Sequence, residues 1–541
     1  MPLAATDDRT AYDQRRWTNA ELSFGRRTLT SPERTLPDVT KRYRLMIYCA
    51  CAFAPVARGR APALRYSGYS GKGISIMPSL SGTTKAAPGT PASLRSPRGR
   101  WPLLLATFIT AASSLCATAA VAQAGLYPER VGADPGRGTV LSAGQAPQAV
   151  RGEPYGADER TARRVPCATD ALIDTIEQLN ETGGGRLALT RKCIYVLDGA
   201  WEGGSGLPTI TTSITIYGRG ATVMRHATAE AFGVFEVAAG GDLQLHQLTV
   251  SGGKSADAPG LNGGGGVLVQ QGGQVGLDRV MLTKNTVADT SKQNGGALYN
   301  LGVSVIENSV LTQNVAYDGG AVFNASGAEL VVRKSNLTQN TATNTGGALH
   351  QGAQAVIKDS LFSDNRSEGE SGGAIYNVNT DLQVFRTTFL RNTAADDGGA
   401  LINKGSGTLT MKGVKISNNI AKVYGGGLYV EGNALIEDTY IRGNVATDAR
   451  GGAIYINEAG TVVVRRTVIT RNQAGETAGG VQIEDGSVTL AGTRITKNLS
   501  GIQPGGVLSL VPITVTGKTI IKGNLPTNCA GGIEPIPGCT D

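Results

Sequence analysis

Residues 295–300 read GGALYN, and near copies follow as GGAVFN at 319, GGALHQ at 346, GGAIYN at 372, GGALIN at 398, GGGLYV at 425 and GGAIYI at 451. A second column keeps step with them: Asn285, Asn314, Asn340, Asn365, Asn392, Asn419, Asn444, Asn472, Asn498 and Asn524, spaced 25 to 29 residues apart. Three residues before these asparagines stand Leu282, Leu311, Leu337, Phe362, Phe389, Ile416, Ile441, Ile469, Ile495 and Ile521. The double glycine forms its own column at Gly295, Gly319, Gly346, Gly372, Gly398, Gly425, Gly451, Gly479 and Gly505.

A constant interval of this length marks one supersecondary unit per repeat. It is too short for two ordinary helices and a turn, and the residues between the columns are Val, Ile, Thr and Gly in short runs. Such runs favour strands and tight corners, and helical spacing of Ala, Leu, Glu and Lys is absent. The pattern predicts an all-β parallel solenoid of about three short strands per coil and roughly a dozen coils, each strand pairing with its equivalent about 4.8 Å away. Like residues then stack on like. The aliphatic column Leu298, Val322, Leu349, Ile375, Leu401, Leu428 and Ile454 is expected to point inward as one face of a continuous core. Glycines supply corner angles and close approach, and the asparagines enter left-handed backbone states and stack amide on amide.

With those columns in view, the GGA[ILV] and [FIL]xxN pair resembles the repeat of polymorphic outer membrane proteins, a branch of the right-handed parallel β-helix superfold that also hosts pectate lyases. The resemblance covers roughly residues 263–525, with weaker coils from Cys193 onward, and implies fold far more than activity. After Asn524 only LPTNCAGGIEPIPGCTD remains, too little for the outer-membrane barrel of the autotransported members. A released or wall-associated protein is the expectation.

The N-terminal region reads differently. WPLLLATFITAASSLCATAAVAQAG follows Arg95, Arg98 and Arg100 and closes on small residues around Gln123, the pattern of a secretory signal cleaved before Gly125. Met77 is the natural start, so 77–124 reads as signal peptide and 1–76 as a doubtful extension. Residues 1–124 hold 17 basic and 6 acidic side chains, which leaves 34 basic and 37 acidic in the remainder. The basic balance of the full chain therefore belongs to the leader, and nucleic acid is not an expected partner. No later segment is long and apolar enough to span a bilayer.

Residues 125–166 mix Pro, Gly, Arg and Ala without a period and read as a linker. In 167–193, ATDALIDTIEQLNETGGG predicts a capping helix with Thr169 as its cap and Leu172, Ile176 and Leu179 on one stripe. It is followed by the solenoid, 194–525, and a closing cap, 526–541. Cys167, Cys193, Cys529 and Cys539 survive signal cleavage. An even number in an exported chain favours disulfides, Cys167 with Cys193 and Cys529 with Cys539, over zinc, whose ligand spacing is absent.

Two columns carry candidate function. Tyr299, Phe323, His350, Tyr376, Tyr429 and Tyr455, interrupted by Ile402, alternate with the aliphatic column and therefore face outward. Stacked rings can bind sugar or stiffen a sheet by packing on themselves. Acids gather before the double glycines, notably Asp318, Glu370, Asp396 and Asp397. Glu370 and Asp397, one coil apart, approach the spacing of paired carboxylates in glycosidases. Acids so placed also suit calcium, the cofactor that a lyase reading brings. A further column, Arg279, Asn308, Lys334, Asp359, Arg386, Gly413, Asp438 and Arg466, reads as a solvated stripe of cross-coil charges. The expected function is a secreted or surface-bound protein presenting a face to an extracellular polysaccharide or surface protein. The alternative is a polysaccharide lyase or glycosidase acting through the corner acids.

Overall fold

The computed structural model describes residues 158–201, 204–256, 263–532 and 534–540. The extension 1–76, the signal 77–124 and the linker up to residue 157 lie outside the described residues. Within them the chain winds an all-β parallel solenoid of about 13 turns with one short α-helix near its N-terminal end. A representative coil carries strands Leu298–Asn300, Val303–Glu307, Val310–Thr312 and the two-residue Val315–Ala316. The first three build three faces, and the two-residue strands form a narrow fourth sheet of their own.

The strands pair in parallel, each with its counterpart one coil away. On the first face Leu298 pairs with Val322, Val322 with Leu349, Leu349 with Ile375, Ile375 with Leu401, Leu401 with Leu428 and Leu428 with Ile454. All seven are fully buried, as are Leu282, Leu311, Leu337, Phe362, Phe389, Ile416, Ile441, Ile469 and Ile495 on the third face. A single coil has no second layer against which to bury these side chains, so the core exists only because coils stack.

Each coil turns on residues with positive φ, and here the structure corrects two expectations. The asparagines are not the left-handed residues; the residue before each one is. Lys284, Gln313, Gln339, Asp364, Arg391, Asn418, Arg471 and Lys497 have φ between +53° and +59°. The charge stripe is a second left-handed corner, Arg279, Asn308, Lys334, Asp359, Arg386, Asp438 and Arg466, at +45° to +57°. The third corner is the first glycine of each pair, Gly295 at +62° for example. At the last coils the glycine column shifts by one: Ile454 pairs with Val481 and Val481 with Val507, so Ala478 and Pro504 take the place of Gly451, while Gly479 and Gly505 follow Gly452.

Freed from the corner, the asparagine side chains turn inward and bond along the solenoid axis. Asn365 Nδ2 donates to Asn392 Oδ1 at 2.9 Å and to the Leu337 carbonyl at 2.9 Å, while its Oδ1 accepts the backbone N–H of Asn340 at 3.0 Å. The same geometry recurs from Asn285 to Asn524. Two shorter ladders accompany it. Asn300 donates to Asn324, and Asn377 to Asn403, inside the first face. Ser309, Ser335, Ser360 and Thr387 accept backbone N–H groups from the preceding coil. Buried corner N–H groups thereby gain acceptors, as a dry interior requires.

The helix Thr169–Glu181 lies over the first coil with Leu172, Ile176 and Leu179 in the core. Its N-cap is Ala168, not Thr169; the Thr169 hydroxyl instead donates to the Val196 carbonyl at 2.9 Å and pins the helix to the first coil. Both disulfides, Cys167 to Cys193 and Cys529 to Cys539, are formed. The end of the stretch read as linker is part of the solenoid, since Arg163–Val165 pairs with Leu187–Leu189. At the other end Cys529–Gly531 adds a strand beside Val507–Ser509.

Candidate functional site

The outward side of the first face is where the aromatic column stands. Strand alternation sends Leu298 and Asn300 inward and Tyr299 outward, and the parallel register places the next ring directly over it. The rings stack as expected: Tyr299 on Phe323 with centroids 5.2 Å apart, Phe323 on His350 at 4.7 Å, and His350 on Tyr376 at 5.1 Å. Ile402 interrupts the stack, which resumes with Tyr429 on Tyr455 at 5.2 Å. Tyr424, from the neighbouring corner, stacks on Tyr455 at 4.4 Å. Ring faces are consumed by these contacts, so Tyr429 and Tyr455 are each only 6 % exposed. What the column offers to solvent is edges and hydroxyls.

Beside it runs the corner column that precedes the glycines, and residues five apart touch. The Thr345 hydroxyl lies 2.8 Å from His350 Nδ1, and that of Thr477 2.9 Å from Gln482 Oε1. Asp318 belongs to this column, but its Oδ1 accepts from Asn344 Nδ2 at 2.9 Å, the Thr345 N–H at 3.0 Å and the Thr345 hydroxyl. It closes a corner and is occupied in doing so. Glu370 is exposed, and the backbone ladder places it beside Asp396, whose N–H donates to the Glu370 carbonyl at 3.0 Å. Asp397, one residue on, stands over Ser371 and lies three coils from Asp318.

Of the four candidate acids, Asp397 is the one whose environment changes its chemistry. Burial, with Asp396 adding repulsion, pushes its carboxyl up to about 7, against the opposing bond from the Tyr424 N–H at 2.9 Å. At neutral pH it can both hold and release a proton. Burial likewise pushes the Tyr376 phenol up to about 12 and that of Tyr429 further, so both are hydrogen-bond donors. Burial lowers the His350 imidazole from its ordinary range, with Asp318 opposing.

Two residues completing this surface were not singled out from the sequence. Glu431, 8 % exposed, accepts from Lys404 Nζ at 2.9 Å, the Gly405 N–H at 2.8 Å and the Tyr429 hydroxyl at 3.2 Å. Their signal was positional, since Lys404 and Glu431 each lie two residues past the aromatic column, in the same outward phase. Asp397, Lys404, Tyr429 and Glu431 thus share one stretch of face, the carboxyl near neutrality and the lysine paired. Among the described residues no three His, Cys, Asp or Glu side chains converge as a metal site. No helix among them is long and apolar enough to cross a membrane.

The chain is similar to several known proteins. It is 30% identical over 131 residues to a probable autotransporter, YfaL, of Escherichia coli (strain K12), a match covering 21% of this chain and 10% of that protein. The chain therefore spans about a tenth of that relative. Among solved structures it resembles the A-module of the Azotobacter vinelandii mannuronan C-5 epimerase AlgE6, at 13% identity and a TM-score of 0.31, over 68% of this chain and 96% of that one. It also resembles PfbA, a surface adhesin of Streptococcus pneumoniae, at 11% identity and a TM-score of 0.22, over 62% of this chain and 87% of that one. Neither structure carries an argument about activity. The model of the right handed beta helix region matches residues 265–437 and 398–539, together just over half of the chain. Stacked parallel coils and matched residues agree: the chain belongs to the right-handed β-helix family.

Proposed function

We propose that this is a secreted or cell-surface protein that presents the outward side of its first face to an extracellular glycan or surface protein. One observation carries the reading: the aromatic column and its flanking polar corner repeat coil after coil, giving an extended ligand several equivalent contacts at strand spacing. Because the ring faces are stacked, contact is through hydroxyls and edges. The signal-like leader, the two disulfides and the repeat's resemblance to polymorphic outer membrane proteins support an exported location. Retention of the full chain on immobilised polysaccharides and on intact cells tests this. Tyr376→Phe and Tyr429→Phe, which keep the stack and remove hydroxyls, are expected to weaken retention; no retention on any surface overturns the proposal.

The second reading is enzymatic, and Asp397 favours it: a carboxyl near neutrality beside a lysine and two phenols can move a proton on a bound sugar. Calcium enters only with this reading, and it would need ligands from the substrate as well. Incubation with pectin and alginate, followed by ultraviolet absorbance of unsaturated ends and by reducing-end assay, decides it. Product that vanishes in Asp397→Asn establishes catalysis, and absence of product with or without calcium removes it.

A further inference from the structure

A different corner carries a second kind of surface. Between the second and third faces of the first coils lies an open concavity of about 580 Å³ lined by Glu159, Arg191, Lys192, Arg219, Gln247 and Arg279, with Thr249 and Met281 on its flank. Lys192, Arg219, Gln247 and Arg279 all have φ between +50° and +58°, so each juts from the same turn of the solenoid in successive coils. Left-handed backbone disfavours long side chains relative to Asn or Gly, yet this corner holds three cations and an amide. Glu159 pairs with Arg219 at 3.1 Å and Asp278 with Arg279 at 2.8 Å. Arg191 and Lys192 are exposed and make no ion pair among the described residues. Met281, 40 % exposed, is an apolar shelf at the rim.

We infer that this corner is a docking site for a linear anionic polysaccharide, its carboxylates or sulfates held by the row of cations and a sugar ring resting on Met281. Lys192 and Arg219 stand one strand spacing apart along the axis, about 4.8 Å and comparable with the length of a sugar ring, and Arg279 follows two coils on, past the neutral Gln247, a row that suits an extended polyanion lying across coils better than a single compact anion. The volume accommodates a short oligosaccharide. The site lies at a different corner of the coil from the aromatic face and does not rest on the function proposed for it.

The test uses the full chain with polygalacturonate and dextran sulfate as probes, which separate carboxylate from sulfate, and neutral dextran as control. Binding to at least one polyanion and not to dextran, weakening with added salt, is expected. Arg191→Gln with Lys192→Asn, the second chosen because Asn tolerates the left-handed corner, should weaken it about tenfold. The same charge change at the opposite end, Arg471→Gln with Lys497→Asn, should alter it less than about twofold. Equal loss in both charge pairs, binding to dextran, or binding to anionic phospholipid vesicles with none to either polyanion overturns the assignment.

Discussion

Asp397 Oδ1 accepts the backbone N–H of Tyr424, one coil away, at 2.9 Å, in surroundings that hold the carboxyl at about 7. The fold thus prefers this acid protonated. Its contribution to stability is fully present below the ordinary carboxylate range and is lost as pH rises through about 7. Asp397→Asn keeps an acceptor for Tyr424 and removes the charge. Thermal unfolding should show the variant melting above wild type at pH 8 and together with it at pH 4; a constant difference across that range would contradict the account.

His350 works in the opposite sense. Enclosed between Phe323 and Tyr376 and pushed below its ordinary value by burial, it is held neutral. The stability it lends is complete above the imidazole's usual range and falls as pH drops through the lowered value. His350→Phe continues the stack and leaves the Thr345 hydroxyl bonded to Asp318. Melting measured from pH 7 to 5 should fall less steeply in the variant than in wild type.

The asparagine ladder should be unforgiving. Asn365→Ala removes the acceptor of the Asn340 N–H and the donor to Asn392 in one step, deep in the core. The groups it strands cost about 3 kcal/mol, which denaturant unfolding reads as a lowered midpoint. The preceding residue supplies the contrast: Asp364 is a left-handed corner residue whose carboxylate pairs with Arg391 at 2.7 Å at the surface. Asp364→Asn is expected to change stability by less than about 1 kcal/mol.

Two glycines separate angle from space. At Gly372, φ is +73°, and a Cβ would meet the Ile375 carbonyl oxygen at 2.5 Å; at Gly492, φ is +59° and nothing lies within 4 Å. Alanine at 492 therefore bears only the left-handed conformation, about 1 kcal/mol, whereas Gly372→Ala should cost about 2 to 3 kcal/mol. Equal costs would mean that crowding at the double glycine contributes nothing.

Much of this architecture was legible in the spacing of Gly295, Leu298 and Asn285 and their copies, because a parallel stack makes each residue its own neighbour and periodicity reports contact directly. Both disulfides and the stripe of Leu172, Ile176 and Leu179 were readable for the same local reasons. The left-handed partners of the asparagines were not, since Lys284, Gln313 and Asp364 are a cation, an amide and an acid that share only a backbone angle. Nor was Asp397 separable from Asp318 by type or position in the repeat. Their difference comes from what surrounds each: Asp318 is tied by Thr345 and Asn344, while Asp397 is desolvated beside Asp396. The shorter ladder through Asn300 and Asn324 is spelled by the sixth letter of GGALYN and GGAVFN, but Gln351 and Val430 break that column, so its period is weaker.

The coil-to-coil bonding of these ladders has an evolutionary corollary. Since each coil engages its neighbours through the same three corners and the same buried amides, a whole circuit can be duplicated or excised with its junctions re-forming against an identical template. The reach of the molecule is then set by copy number, and a gene gains or loses length in units of one repeat while every remaining contact is preserved.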